Sequence, residues 1–225
     1  MIQIARAEKP TVLVRNEIKW LAAYMAAIQA FQQSPVAGNK KKKDTAERKY
    51  NHKSVKEALK VMFSGKCAFC ESHVIHVDYG AIEHFRPKSK FPELCFSWNN
   101  YLLCCNICNG AGQKGDRFPE VAEDGPFINP TEENPDDFFT FEFDPKTGTA
   151  NVLPKNKRAA ITETIIGLNR PDLVKYRSII VRMMVVIALK ASQGDTDCRN
   201  EIKRLCQNNT NYAAFARTLV SRFNL

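Results

Sequence analysis

The fold is decided by the stretch of sequence between two cysteine pairs, Cys67-Ala68-Phe69-Cys70 and Cys105-Asn106-Ile107-Cys108. Within each pair two residues separate the cysteines, so one tight turn can present both sulfurs to a single ion. Two such turns joined by an intervening loop predict a closed, tetrahedral site for structural zinc. Cys104 adjoins Cys105 but would give a Cys-x-x-x-Cys spacing with Cys108, so Cys105 is the preferred ligand.

Two alternatives for the cysteines stay open. His73 and His76 continue the spacing of the first pair, so a site of two cysteines and two histidines is chemically possible, although it would leave the second pair without an ion. Buried free thiols are also common in proteins. We expect this state for the other cysteines, which are Cys95, Cys104, Cys198 and Cys206.

Composition narrows the class of protein. The chain has 225 residues, of which 44% are hydrophobic, enough for one sizeable domain or a small module framed by helices. Lys and Arg total 33 against 24 acidic residues, and a formal charge of +9 suits a polyanionic partner such as nucleic acid. No apolar run reaches the roughly 20 residues that cross a bilayer, and residues 1–10 lack the apolar core of a signal peptide. We therefore expect a cytoplasmic protein that makes no membrane contact, where paired thiols bind metal.

Hydrophobic periodicity predicts an α+β chain that is mostly helical. We divide it into an N-terminal helical segment (1–64), a metal-stapled core (65–120) and a hairpin with C-terminal helices (121–225). The hairpin should pair residues 138–143 with 149–153. The run from Lys40 to Lys43 predicts a solvated loop. Helices are expected over residues 11–33, from residue 45 or 54 to 63, and over 157–168, 171–192, 196–207 and 210–223.

Polar residues between the cysteine pairs form a recognisable motif. The segment Ile82-Glu83-His84-Phe85-Arg86-Pro87-Lys88 lies between them, Asn100 comes five residues before Cys105, and Asn109 directly follows Cys108. This arrangement resembles the HNH nuclease family. Its ββα-metal core has an acidic residue and a His on the first strand, a central Asn in the loop and a final His or Asn where the helix starts. The resemblance implies the same core, with zinc knuckles, in residues 65–120.

A longer string narrows the resemblance to one subfamily. Lys66-Cys67-Ala68-Phe69-Cys70-Glu71, Trp98-Asn99-Asn100 and Lys114-Gly115 surround the motif, and Ile166-Gly167-Leu168-Asn169-Arg170 lies downstream. These segments are similar to the PtuB nucleases of bacterial Septu and retron antiphage systems. The motif covers about a quarter of the chain.

The resemblance implies a role for each residue of the motif. His84 would be the general base, since a histidine pKa near 6.5 allows proton transfer around neutral pH. Glu83 and Asn109 would bind a catalytic Mg²⁺ or Mn²⁺, because hard ions prefer oxygen ligands. Asn100 would orient the His84 ring or hold the loop through backbone hydrogen bonds. In a regular strand Glu83 and His84 point to opposite faces, so a turn or bulge is expected beside them.

Basic residues beside the motif are candidates for binding substrate phosphates, namely Arg86, Lys88 and Lys114. Asp116 and Glu71 are expected to be ordinary surface acids. The glycine-rich residues 110–113 predict that the helix after the second cysteine pair is short or delayed.

The implied activity is metal-dependent hydrolysis of phosphodiester bonds by an endonuclease, in DNA or in a structured RNA such as tRNA. By resemblance the protein would be the toxic effector of an antiphage system. Its partners would be a PtuA-like ATPase and, in retrons, a reverse transcriptase with its reverse-transcribed DNA. The alternative is a non-catalytic, zinc-stabilised module that binds nucleic acid or serves as an adaptor. It would use the same four cysteines and the same basic charge.

Overall fold

The N-terminal segment is a set of three helices. The computed structural model describes residues 1–75 and 78–225, and it begins with α1 (Thr11–Gln33), α2 (Ala37–Glu47) and α3 (Lys53–Met62). A 3-10 turn at Arg48–Asn51 joins α2 to α3, and the His52 side chain caps α3 by accepting from the Ser54 amide. The predicted helix at 11–33 and the helix ending near residue 63 are confirmed.

The predicted loop at the four lysines is wrong. Lys40 to Lys43 lie inside α2, mostly with exposed side chains. Lysine is a good helix former, and a helix that turns one side to solvent can hold four consecutive lysines without burying a charge.

The central segment contains one small sheet. Strand β1 (Ala81–His84) pairs antiparallel with β2 (Tyr101–Cys104), so that His84 lies opposite Tyr101. Helix α4 (Asn106–Asn109) follows at once, and the Cys105 sulfur caps it by accepting from the Cys108 amide at 3.4 Å. The helix is only one turn long, as the glycines after Asn109 predict.

The C-terminal segment is a hairpin followed by helices. Strands β3 (Phe139–Asp144) and β4 (Thr149–Pro154) pair antiparallel. The helices are α5 (Lys157–Ile166), α6 (Pro171–Ser192), α7 (Thr196–Leu205) and α8 (Ala213–Phe223). The predicted hairpin and four helices are confirmed, but α8 starts three residues late because Tyr212 adopts a left-handed backbone. The described residues are mostly helical with two small sheets, as expected.

One apolar core connects the three segments. Buried side chains form a continuous cluster that includes Leu13 of α1, Phe69 of the first cysteine turn, Tyr101 of β2 and Phe215 of α8. A smaller cluster around Tyr24 and Phe96 attaches the α1–α2 pair to the loop that precedes β2. In the described parts of the chain, none of the helices is long and apolar enough to cross a bilayer.

Arg177 ties α6 to the rest of the C-terminal segment although it is almost fully buried. Its guanidinium donates to the carbonyl of Ala150 on β4 at 2.9 and 2.6 Å, to the carbonyl of Leu168 at 2.8 Å and to the Asn169 side chain at 2.9 Å. Burial lowers the pKa of Arg177 to about 10, so the side chain stays charged at neutral pH. The planar, five-donor group fits acceptors on two sides at once.

Replacing Arg177 with Met should lower the free energy of unfolding by about 2–4 kcal/mol, because three buried acceptors lose their donors. Urea unfolding followed by circular dichroism measures this. Lys175→Met, an exposed position on the same helix, should change it by no more than about 0.5 kcal/mol. Equal effects of the two substitutions would show that the Arg177 hydrogen bonds contribute nothing net.

Candidate active site and metal centre

The four predicted cysteines come together at one point. The sulfurs of Cys67, Cys70, Cys105 and Cys108 all lie within 4.8 Å of one another, and those of Cys70 and Cys105 are 4.0 Å apart. Sulfurs around a tetrahedral zinc ion with bonds of about 2.3 Å are about 3.8 Å apart. Among the described residues this is the only such group of metal-ligating side chains. The donor set therefore fits a structural zinc ion, and Cys104 lies on β2 outside the group.

The protein environment explains why these thiols need a cation. Burial raises the pKa of the Cys67 thiol, and contacts with the neighbouring sulfurs, that of Cys105 first, raise the pKa of Cys108. Four thiolates cannot coexist in this space without a divalent ion between them. Arg170 donates to the Cys108 sulfur at 3.5 Å and would stabilise it as a thiolate. Arg170 is the last residue of the Ile-Gly-Leu-Asn-Arg segment, which is the only signal for it in the sequence.

The residues next to the first cysteine pair are not where the sequence suggests. Glu71 is buried and not a surface acid as expected, because Lys66 and the backbone amide of Ala213 bind it at 3.3 and 3.1 Å. These contacts attach α8 to the cysteine turn. His73 forms a β-bridge with Lys66, and His76 lies outside the described residues.

Glu83 and His84 line the same cavity, although they are neighbours on β1. Strand β1 ends at His84 and the chain bends at Phe85 and Arg86. The cavity has a volume of about 120 Å³ and also receives Asn109, Lys88 and Asp116. A carboxylate, an imidazole and an amide thus meet in one small space.

His84 is held as a neutral imidazole with a defined tautomer. Its Nε2 lies 2.9 Å from the carbonyl oxygen of Cys95. A carbonyl only accepts, so Nε2 carries the proton and the lone pair of the neutral ring lies on Nδ1. Burial lowers the pKa of His84 to about 4, helped by the positive charges of Lys88 and Lys114. The edges or faces of Tyr50 and Tyr101 pack on the ring at 4.7 and 5.1 Å between centroids.

Glu83 is a buried acid with a buried counter-ion. Its exposed fraction is 4% and that of Lys114 is 0%, and the Lys114 ammonium contacts Glu83 Oε1. Burial raises the pKa of Glu83 to about 7, while Lys114 opposes the rise. The ion pair with Lys114 is the contact that Glu83 Oε1 makes. Because the carboxylate lines the same cavity as Asn109 and Asp116, its oxygens fit ligands of a hard cation.

Lys114 does not occupy the surface position expected of a phosphate ligand. Besides Glu83 it donates to the backbone carbonyl of His84 at 2.9 Å. Binding a substrate phosphate would require it to leave two buried partners, so the structure favours a role in holding β1. The one-turn helix α4 brings Lys114 back toward β1, a placement that its sequence position does not indicate.

Asn100 and Arg86 lie on the other side of the loop. Asn100 accepts from the Arg86 amide at 2.8 Å and donates to the carbonyls of Arg86 and Leu94 at 3.0 and 3.3 Å. The Arg86 guanidinium packs over the rings of Phe91 and Phe118. Both residues line a second cavity of about 200 Å³ and not the one that holds Glu83. The hydrogen bonds of the Asn100 side chain therefore hold the loop, and none of them reaches the His84 ring.

The N-terminal helices contribute residues that the motif does not indicate. Glu47, at the end of α2, binds Lys88 at 3.2 Å, and the Lys88 ammonium lies 5.5 Å from the centre of the Tyr50 ring. Tyr24 in α1 donates to Glu47 at 3.1 Å. Tyr50 lines the cavity, and Glu47 and Tyr24 connect to it through Lys88. These three residues precede the cysteines by many positions and follow no recognisable spacing, so only the folded structure reveals them.

No model of a protein family matches the chain, but individual proteins resemble it. The chain is 28% identical over 197 residues to the Septu protein PtuB of Bacillus mycoides strain KBAB4, and the aligned region covers 71% of this chain and 65% of that protein. A Septu protein PtuB of Bacillus thuringiensis is 28% identical over 182 residues, 80% and 60% of the two chains. The chain thus spans less than two thirds of the length of these PtuB relatives.

A third relative has nearly the same extent as this chain. It is named "Retron Vc95 putative HNH endonuclease", from Vibrio cholerae serotype O1 biovar El Tor, and is 28% identical over 199 residues, 86% of this chain and 88% of that protein. The resemblance to the PtuB subfamily that the motif predicts is confirmed by these similarities.

Replacing Cys108 with Ser should remove the bound metal, since a closed site of four thiolates loses a ligand. Elemental analysis should give about one zinc per wild-type chain and much less for the variant, with a lower unfolding midpoint. Cys198→Ser, a cysteine outside the group, should retain the metal. Full zinc content in the Cys108 variant would exclude the four-cysteine site.

Replacing Lys114 with Met should destabilise the protein more at high pH. The pKa of the Glu83 carboxyl is 4.5 in the unfolded chain and about 7 in the folded one. The wild-type protein therefore loses stability as the pH rises between these two values, and the loss ends above pH 7. Without Lys114 the folded pKa rises further, and each additional pH unit should cost the variant about 1.4 kcal/mol. Urea unfolding at pH 7 and 8, without added divalent ion, tests this. The exposed Lys90→Met variant should show no such trend, and a pH-independent loss would contradict the ion pair.

Proposed function

Because the chain is a homologue of the Septu PtuB proteins and of the Vc95 retron protein, we propose that it is a metal-dependent HNH endonuclease that hydrolyses phosphodiester bonds of nucleic acid. One observation carries the proposal: a neutral His84 shares a small cavity with the carboxylate of Glu83 and the amide of Asn109. The β1–β2 pair followed by α4 supports a ββα-metal core, with the four cysteines as a zinc clamp.

In this proposal His84 is the general base. The Cys95 carbonyl fixes the proton on Nε2, so Nδ1 can accept a proton from the attacking water. A pKa of about 4 keeps the ring unprotonated at neutral pH. A Mg²⁺ or Mn²⁺ ion held by Glu83 and Asn109 would stabilise the negative charge that develops on the phosphate and the leaving oxygen.

Other residues position this machinery or bind substrate. Lys114 neutralises Glu83 and holds the His84 carbonyl, and Asn100 fixes the loop that carries Arg86. Lys88, at the rim of the cavity, is the best placed cation for a substrate phosphate. Arg86 would contact phosphates farther along the strand, because it lies on the second cavity.

We further propose that the enzyme is the toxic effector of a cytoplasmic antiphage system, acting on DNA or on a structured RNA such as tRNA. Its relatives carry Septu and retron names. The corresponding partners would be a PtuA-like ATPase and, in a retron, a reverse transcriptase with its reverse-transcribed DNA. The formal charge of +9 agrees with a nucleic-acid substrate.

Replacing His84 with Ala should reduce cleavage at least about 100-fold, the usual contribution of a general base, while zinc content stays at the wild-type level. Cleavage is measured on plasmid DNA and on total RNA with Mg²⁺ or Mn²⁺ added in turn. Because the His84 ring is buried, His84→Gln serves as a second variant of similar volume. Its melting temperature shows whether the chain remains folded at the assay temperature.

The matched control is His52→Asn, which changes an exposed histidine but keeps an N-cap side chain on α3. It should cleave at the wild-type rate. Undiminished cleavage by folded His84 variants would disprove the assignment of the base. The non-catalytic alternative predicts a different result: wild-type protein that binds nucleic acid and cleaves neither substrate with any added ion.

A further inference from the structure

Helix α6 presents an apolar stripe to solvent that no other element covers among the described residues. The stripe consists of five side chains on one side of the helix, all of them at least 42% exposed: Tyr176, Ile179, Met183, Val186 and Leu189. Met183, near the middle, is 64% exposed. The stripe extends for about 20 Å along the helix. A contiguous exposed apolar surface of this kind marks an interaction site more often than an isolated exposed residue does.

The spacing of the stripe is that of a helix-packing seam. Tyr176, Ile179, Met183 and Val186 follow one another by three, four and three residues, which is the a/d pattern of a heptad repeat. The opposite side of α6 is already packed in the core through residues such as Val181, Met184 and Ala188. Helix α6 therefore has one apolar face packed in the core of this protein and a second, exposed seam that could pack against a helix of another chain.

Basic residues lie beside the exposed seam and at its end. Lys175 and Arg182 are exposed at flanking positions, Lys190 is exposed at the a position that follows Val186, and Asp172 in the first turn is the only acidic residue of α6. Arg182 also donates to the Gly148 carbonyl at 3.3 Å, which attaches the turn of the β3–β4 hairpin to α6. Between this turn and α6 lies a mostly apolar cavity of about 570 Å³, continuous with the seam at Ile179. The surface combines an apolar line, a side cavity and a positive rim.

A second copy of the chain does not match this charge pattern. If two α6 seams packed antiparallel about a two-fold axis at their midpoint, between Arg182 and Met183, Lys175 of one copy would lie opposite Lys190 of the other. Arg182 of one copy would also lie close to Arg182 of the other. Like charges opposite one another disfavour such a pairing. Asp or Glu residues on the partner would instead complement the rim.

We propose that the exposed face of α6 is the docking site for an amphipathic helix of another protein, with apolar residues at heptad spacing flanked by Asp and Glu. This mode is helix-on-helix recognition, in which apolar side chains supply affinity and the charged flanks select the partner. The cavity beside Ile179 accepts one large apolar side chain of that helix. None of these residues belongs to the proposed active site, so the docking site does not depend on nuclease activity.

The test uses a dye-labelled synthetic peptide of about three heptads, with Leu at the a and d positions and Glu at the flanking positions. Its own like charges disfavour self-pairing. Fluorescence anisotropy with the full chain should show binding, and a peptide with Lys in place of Glu should bind at least tenfold more weakly. Met183→Ser and Arg182→Glu should each weaken binding of the Glu peptide about tenfold.

Ile18→Ser is the matched control, since Ile18 on α1 is also an exposed apolar helix residue, 86% accessible. It should leave the affinity unchanged, and melting temperatures of all variants should stay close to the wild type because the positions are exposed. Absence of binding, equal binding of the Lys peptide, or equal loss in the Ile18 variant would overturn the proposal.

Two further outcomes would replace the proposed partner with another. Sedimentation of the wild type as a dimer that Met183→Ser converts to a monomer would assign the face to a second copy. Displacement of the Glu peptide by an oligonucleotide whose own binding Arg182→Glu abolishes would assign it to nucleic acid. The cleavage assay is independent of both, so an inactive protein that still binds the Glu peptide would retain the docking site.

Discussion

The convergence of four cysteine sulfurs is the constraint on which the rest of the protein depends. It closes a loop from residue 71 to residue 104, and that loop contains β1, β2 and all of the motif except Asn109. The sulfurs cannot approach as thiolates unless a cation neutralises them. The two ends of the segment that contains the β1–β2 sheet are thereby fixed. The segment could not bury enough apolar surface to hold that geometry by itself.

Around the cysteine cluster, only a few charged side chains are buried among the described residues. Glu71, beside the first cysteine pair, joins the turn to α8, while Glu83 on β1 pairs with Lys114, which follows α4. Burial moves the pKa of Glu83 up and that of His84 down, each toward its neutral form. The same burial thus disfavours the charged form of both residues, and in the proposed site Lys114 and a bound cation would keep Glu83 ionised while His84 stays a neutral base.

Much of this could be predicted from the sequence, and the limits have physical causes. Local spacing predicts the cysteine turns, the long helices and the β3–β4 hairpin, because each depends on residues close together in the chain. The predicted division into three segments stays a prediction, since one apolar core runs through all of them. Charge alone predicts a loop for the lysine run, whereas the helix propensity of lysine agrees with its place in α2.

Long-range contacts explain the remaining differences. The burial of Lys114 and Glu71, and the ion pair of Glu47 with Lys88, result from packing between elements far apart in sequence. The residue type of a charged side chain does not tell whether it is buried, because burial depends on the side chains that pack around it. Arg86 and Lys88 are two residues apart, yet they face different cavities because the chain bends after β1.

The pair between Lys88 and Glu47 has a thermodynamic consequence. Lys88 already holds an anion, so an arriving phosphate would exchange one negative partner for another. The carboxylate that is released would take up a cation from the solvent, which offsets the counterion that the nucleic acid gives up. Lys88 would then add little to the dependence of binding on salt concentration, unlike a lysine that faces only water. Because an anion must displace the Glu47 carboxylate to reach Lys88, only an anion that other groups of the cavity also bind would take its place.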